Sequence, residues 1–122
     1  MLDKNLIYAV VGASSNEEKY GYKIFKDLIE KNYNAVPINP KGGYTFNKKV
    51  FRSLLEVEIK PDMIIFVVKP EITEKILEEV KKLGIKKVWM QPGSESPKAI
   101  KYCKENNISV VHNACVIIKN KH

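Results

Sequence analysis

The chain is 122 residues long, 44% apolar and 29% charged, enough for one core and too little for two. It has no apolar run near the roughly 20 residues a bilayer-crossing helix needs and no cleavable signal pattern, so one soluble, cytoplasmic domain over residues 1–122 is expected. The formal net charge of +7, from 21 basic and 14 acidic residues, raises nucleic acid, membrane and phosphorylated ligands as partners without choosing among them.

Leu6 to Val11 is a short apolar run of the kind covered on both faces of a parallel sheet. Tyr22 to Lys31 then has helical periodicity, with Ile24, Phe25, Leu28 and Ile29 opposite Lys23, Lys26, Asp27 and Glu30. Asn34 to Ile38 reads as the next strand, Lys49 to Phe51 as a brief one, and Ser53 as the cap of a one-turn helix. Met63 to Val68 is the most apolar run and is expected to be a central strand. Ile72, Ile76, Leu77, Val80 and Leu83 form a helical stripe stopped by Gly84. Lys87 to Met90 is a strand, Ser96-Pro97 the cap and first residue of a helix burying Ala99, Ile100 and Cys103, and Ser109 to His112 the last strand. Ala114 to Lys119 closes the series as a terminal helix or extended tail.

Strands separated by helices of about ten residues imply right-handed crossovers. The expected fold is α/β: a Rossmann-like, doubly wound, mostly parallel sheet of five or six strands with helices on both faces. In such a sheet, ligands bind beyond the carboxyl ends of the strands, near the point where strand order reverses. The candidate site is therefore Gly12-Ala13-Ser14-Ser15, Asn39-Pro40-Lys41, Lys69-Pro70, Gln91-Pro92-Gly93 and Asn113.

The first of these loops suits phosphate. Gly12 permits a tight turn, Ala13 and Ser14 are small enough for backbone N–H groups to approach an anion, and Gly21 allows close packing where the helix starts. The positive end of that helix, near Tyr20 or Gly21, and the charge of Lys19 would face the same anion. The ordinary alternative is a strand-ending glycine followed by a solvent loop. The second loop bears on the cofactor. An NAD site carries an acid at the end of its second strand, whereas Asn39-Pro40-Lys41 offers a lysine suited to a ribose phosphate. Coenzyme A, with its 3'-phosphate, and NADP, with its 2'-phosphate, both remain, NADP as the runner-up.

G-A-S with Lys19-Tyr20-Gly21, V-P-I-N-P-K at 36 to 41, F-V-V-K-P at 66 to 70, V-W-M-Q-P-G at 88 to 93 and N-A-C at 113 to 115 are five segments that occur in this order along the chain. Together they resemble the small stand-alone CoA-binding domain family, itself similar to the CoA-binding domain of the succinyl-CoA synthetase alpha subunit. The resemblance implies that the pyrophosphate meets Gly12 to Ser14 and the Lys19-Tyr20-Gly21 turn, with Lys41 near the ribose phosphate. It also implies that Val67, Val68, Lys69 and Pro70 line the adenine or its ribose, and that Gln91, Pro92 and Gly93 border the pantetheine arm. Glu17 and Glu18 depart from the pattern, and either point to solvent or weaken affinity.

No catalytic or metal-binding residue is assigned. The synthetase uses a phosphorylated histidine in a further domain and a nucleotide-binding partner chain, neither of which this sequence carries. Its histidines are His112, at a strand end, and His122; with no third group evident to orient a His112–Cys115 pair, a half-buried histidine and a packed, inert cysteine are expected. Two cysteines without C-x-x-C spacing fit a reducing compartment, and Cys103 falls on an apolar helical face. The expected function is a non-catalytic binder or sensor of CoA or an acyl-CoA. An NADP-binding oxidoreductase-like protein is the first alternative, disfavoured by the glycine spacing and the lack of an acid/base dyad at the strand ends. A nucleic-acid binder is the second. Against it, every basic residue except Arg52 is lysine, which reads base edges less well than arginine, and Trp89 lies in a predicted strand.

Overall fold

The computed structural model describes residues 2–119, and His122 lies outside that range. The elements in chain order are β1 (Ile7–Val11), α1 (Tyr20–Glu30), β2 (Asn34–Ile38), β3 (Tyr44–Thr45), β4 (Lys48–Lys49), a 3-10 turn (Leu54–Glu56), β5 (Met63–Phe66), α2 (Pro70–Lys82), β6 (Lys87–Met90), α3 (Pro97–Glu105), β7 (Ser109–Val111) and α4 (Val116–Lys119).

Five parallel strands form one sheet in the order β2-β1-β5-β6-β7. Pro37, Val10, Ile65, Trp89 and Val111 lie in register across it. After β1 the chain first adds β2 on one side, then crosses back to place β5 on the other. The reversal of strand order therefore falls between β1 and β5.

Both faces of the sheet are covered, and this is why its strands are apolar at nearly every position rather than alternating. Ala9, Val11, Ile64, Phe66, Val88 and Met90 pack with Leu54, Leu77, Val80, Ala99 and Cys103 on the α2–α3 face. Tyr8, Val10, Ile65 and Trp89 pack with Ile24, Phe25, Leu28 and Val116 on the α1–α4 face. Trp89 is 3% exposed and donates Nε1 to the carbonyl of Ala114 at 2.8 Å. Among the described residues no helix is long and apolar enough to cross a membrane.

The expected elements appear with two adjustments. Lys49 to Phe51 does not form a strand: Lys48–Lys49 pairs with Tyr44–Thr45 as a small hairpin, and Phe51 makes one bridge to Ile38. The hairpin turn places Phe46 and Asn47 at positive φ, a backbone that phenylalanine tolerates here because its ring packs on Tyr22 and Phe25, at centroid distances of 5.1 and 6.0 Å. The central strand ends at Phe66, since Val68 N–H bonds Ser94 Oγ rather than a neighbouring strand.

Candidate functional site

Where β1 ends, Gly12 adopts φ +102, and a Cβ there would collide with the carbonyl oxygen of Val67 just past β5. Gly21, in the first turn of α1, sits so close that its Cβ would collide with the carbonyl oxygen of Gly12. These two contacts pull the loop, the helix start and the end of β5 together at the reversal of strand order.

The loop is held by its own polar groups. Ser14 Oγ accepts from Asn16 N–H at 3.0 Å, Asn16 Oδ1 from Glu18 N–H at 3.0 Å, and the Asn16 carbonyl from Lys19 N–H at 3.0 Å. From the next strand end, Asn39 donates Nδ2 to the Ala13 carbonyl at 2.8 Å and accepts Lys41 N–H on Oδ1 at 3.0 Å. Asn39 thus ties two loops together and fixes the backbone that presents Lys41. α1 has neither a side-chain cap nor an acidic residue in its first turn. No protein acceptor meets the N–H groups of Ser14, Tyr20 and Gly21 among the described residues, so they remain available to an anion.

A cleft of about 510 Å³ opens here. It is lined by Gly12, Ser14, Lys19, Tyr20, Gly21, Asn39, Lys41, Val67, Val68, Lys69, Pro92 and Gly93, all expected from the sequence, and by Ser94, which was not. Three of these residues are lysines and none is a carboxylate, so the wall is electropositive. Ser94 is 3% exposed and its Oγ fixes the Val68 N–H at 3.0 Å. Its only sequence signal is a small polar residue directly after Gln91-Pro92-Gly93.

Six expected residues do not line this cleft. Ala13 is fully buried beneath the loop, and Ser15 borders a separate surface hollow with Glu17 and Tyr22. Pro70 opens α2 as its first residue. Pro40 faces a smaller hollow of about 240 Å³ that meets the cleft at Gly12 and Val68; it is floored by Ile38, Leu54, Ile72 and Ile76 and rimmed by Arg52, Lys75 and Glu79. Gln91 is fully buried: Oε1 accepts Val116 N–H at 2.7 Å and Nε2 donates to Cys115 Sγ at 3.3 Å. It braces the segment after β7 rather than offering its amide to the cleft. Asn113 follows that strand at positive φ. Glu17 and Glu18 are both exposed, outside the cleft wall.

Cys115 does not line the cleft but lies against Tyr20, with Sγ 3.0 Å from its hydroxyl. That hydrogen bond, and then burial, raise the Tyr20 phenol above its ordinary pKa. Cys103 is fully buried in the α2–α3 core, which pushes its thiol up to about 11. A larger hollow of about 610 Å³ runs along β2 between Ile7, Ala35 and Ile59. It lies toward the amino ends of β1 and β2, away from the loops where this fold places ligands.

A family model described as a CoA binding domain matches residues 7–121. The ADP-forming acetate-CoA ligase of Methanocaldococcus jannaschii is 34% identical to this chain over 93% of it and 17% of the ligase. The ADP-forming 4-hydroxybutyrate-CoA ligase of Nitrosopumilus maritimus is 28% identical over 92% of this chain and 18% of the ligase. The chain thus spans less than a fifth of the length of either relative. A solved structure of a conserved hypothetical protein from Pyrococcus furiosus superposes with a TM-score of 0.89 at 33% identity, covering 93% of this chain and 98% of that one.

Proposed function

The chain belongs to the CoA-binding domain family, and on that premise we propose that it binds CoA or an acyl-CoA in the cleft beyond β1 and β5, as a non-catalytic binder or sensor. The carrying observation is that cleft: an uncapped helix start and three lysines face it, and among the described residues no carboxylate does. The pyrophosphate sits on the backbone N–H groups of Ser14, Tyr20 and Gly21 with Lys19 beside it. Lys41 reaches the 3'-phosphate, Val67 to Lys69 contact the base and ribose, and the pantetheine arm passes Pro92 and Gly93. Residues 1–122 act in this role as one domain.

The non-catalytic part of the proposal is supported by the surroundings of the thiol nearest the cleft. Among the contacts of Cys115 are the phenol of Tyr20 and the amide of Gln91, and neither group takes a proton from a thiol near neutral pH. His112 makes no hydrogen bond to it, and Nδ1 of that imidazole is buried without a partner among the described residues.

Calorimetric titration of the ligand-free protein with CoA, dephospho-CoA and NADP tests the proposal. CoA is expected to bind, dephospho-CoA more weakly, and NADP weakest. Lys41→Ala should lower CoA affinity about tenfold, the worth of one charge-assisted hydrogen bond, while changing dephospho-CoA by less than about twofold. Failure to bind CoA, or a preference for NADP, refutes the assigned ligand; equal losses for CoA and dephospho-CoA refute the role of Lys41.

A further inference from the structure

We propose that Arg52 is a second reader of the CoA ribose phosphate, standing beside Lys41; this rests on the CoA assignment above. Arg52 is the chain's one arginine. Its position is set by the sheet, because the preceding residue is bonded to the end of β2: Phe51 N–H donates to the Pro37 carbonyl at 3.0 Å, and Asn39 N–H donates to the Phe51 carbonyl at 2.8 Å. The same strand end presents Lys41 through Asn39. Lys41 and Arg52 therefore stand on two segments braced against one another.

The side chain of Arg52 crosses the backbone of Gly42, its Nε 2.9 Å from where a Cβ at that position would lie. A residue with a side chain at 42 would displace it, and Gly42 at φ +65 leaves the crossing open next to Lys41. Arg52 also rims the hollow that meets the cleft at Gly12 and Val68.

Among the described residues no ion pair takes up the charge of Arg52. Among the described residues the ion pairs are Lys31–Asp27 and Lys98–Glu74, both elsewhere. Of the nearby acids, neither pairs with the guanidinium: Glu79 accepts from Ser53 Oγ at 3.2 Å, and Glu56 accepts the backbone N–H of Arg52 at 2.9 Å. A phosphate monoester carries close to two charges near neutral pH and suits a planar fork of donors set beside a lysine. Arginine at this position, in a chain that otherwise uses lysine, fits that demand.

The test is titration of wild type, R52Q, R52K and the double variant K41A/R52Q with CoA and dephospho-CoA, each variant first compared with wild type by urea unfolding. R52Q should weaken CoA about tenfold or more and change dephospho-CoA by less than about twofold. R52K, which keeps the charge and loses the fork, should fall between wild type and R52Q. In the double variant, CoA and dephospho-CoA should bind with nearly equal affinity. Equal losses for the two ligands in R52Q would place Arg52 on the base or on the fold and overturn the inference, as would no loss for either. Wild type that fails to bind CoA overturns the cleft assignment with it; wild type that prefers CoA while R52Q is unchanged overturns the role of Arg52 alone.

Discussion

Gly21 sets two residue-level effects against each other. It is the second residue of α1, and helix propensity alone would make Gly21→Ala stabilising by about 1 kcal/mol. The added Cβ, however, would meet the backbone carbonyl of Gly12, which has no rotamer with which to move aside. Overpacking of this kind costs roughly 1–3 kcal/mol, so the expected sign reverses. Gly21→Ala should lower the urea midpoint and weaken CoA binding, because helix and loop must separate exactly where the pyrophosphate is proposed to sit. Gly43→Ala is the control: its φ of +90 is strained for alanine, but no atom lies within 4 Å of the added carbon. It should cost stability through backbone strain of about 1–2 kcal/mol and leave CoA binding near wild type. A stabilised Gly21→Ala would show that the loop yields.

Among the elements, the helix starts divide the labour between stability and binding. α3 is capped: Ser96 Oγ accepts Ala99 N–H at 3.0 Å and donates to Glu74 of α2 at 2.6 Å, with Pro97 in the first turn. Ser96→Ala removes the cap and the tie to α2, and should cost about 1–2 kcal/mol by urea unfolding with CoA affinity unchanged. A loss of affinity there would mean that α3 reaches the site. α1 has no such cap, which fits a helix whose start is kept for a ligand. The α3 cap was legible from Ser96-Pro97 alone, as were the stripes of α1 and α2, because capping and burial leave periodic local marks. The β3–β4 hairpin was not. Its strands are two residues long and its turn lacks the Asn-Gly signal, since the positive φ of Phe46 is held by ring contacts to a helix more than twenty positions earlier in the chain.

For the whole molecule, the question is how a net charge of +7 is used. Lysines cover much of the surface, yet Lys19, Lys41 and Lys69 converge on one cleft, and Trp89 is buried in the sheet where it cannot stack on a base. CoA at about 100 times its dissociation constant should stabilise the fold by about 2.7 kcal/mol, raising the melting temperature by roughly 10 °C. Added salt at fixed ligand concentration should shrink that rise, because the contacts are ionic. A salt-insensitive shift would point to apolar contacts as the main source of affinity. The sequence by itself determined the alternation of strands and helices, the parallel sheet and the loops that meet at its carboxyl edge, because burial periodicity and turn chemistry are local. It also carried the five segments that marked the family. Only the tertiary structure decided which loop residues share the cleft. It turned Gln91 inward to brace Cys115 and Val116, brought Ser94 to Val68 N–H, and set Arg52 across Gly42. Those placements depend on contacts between segments ten or more residues apart, and they leave no periodic trace in the chain.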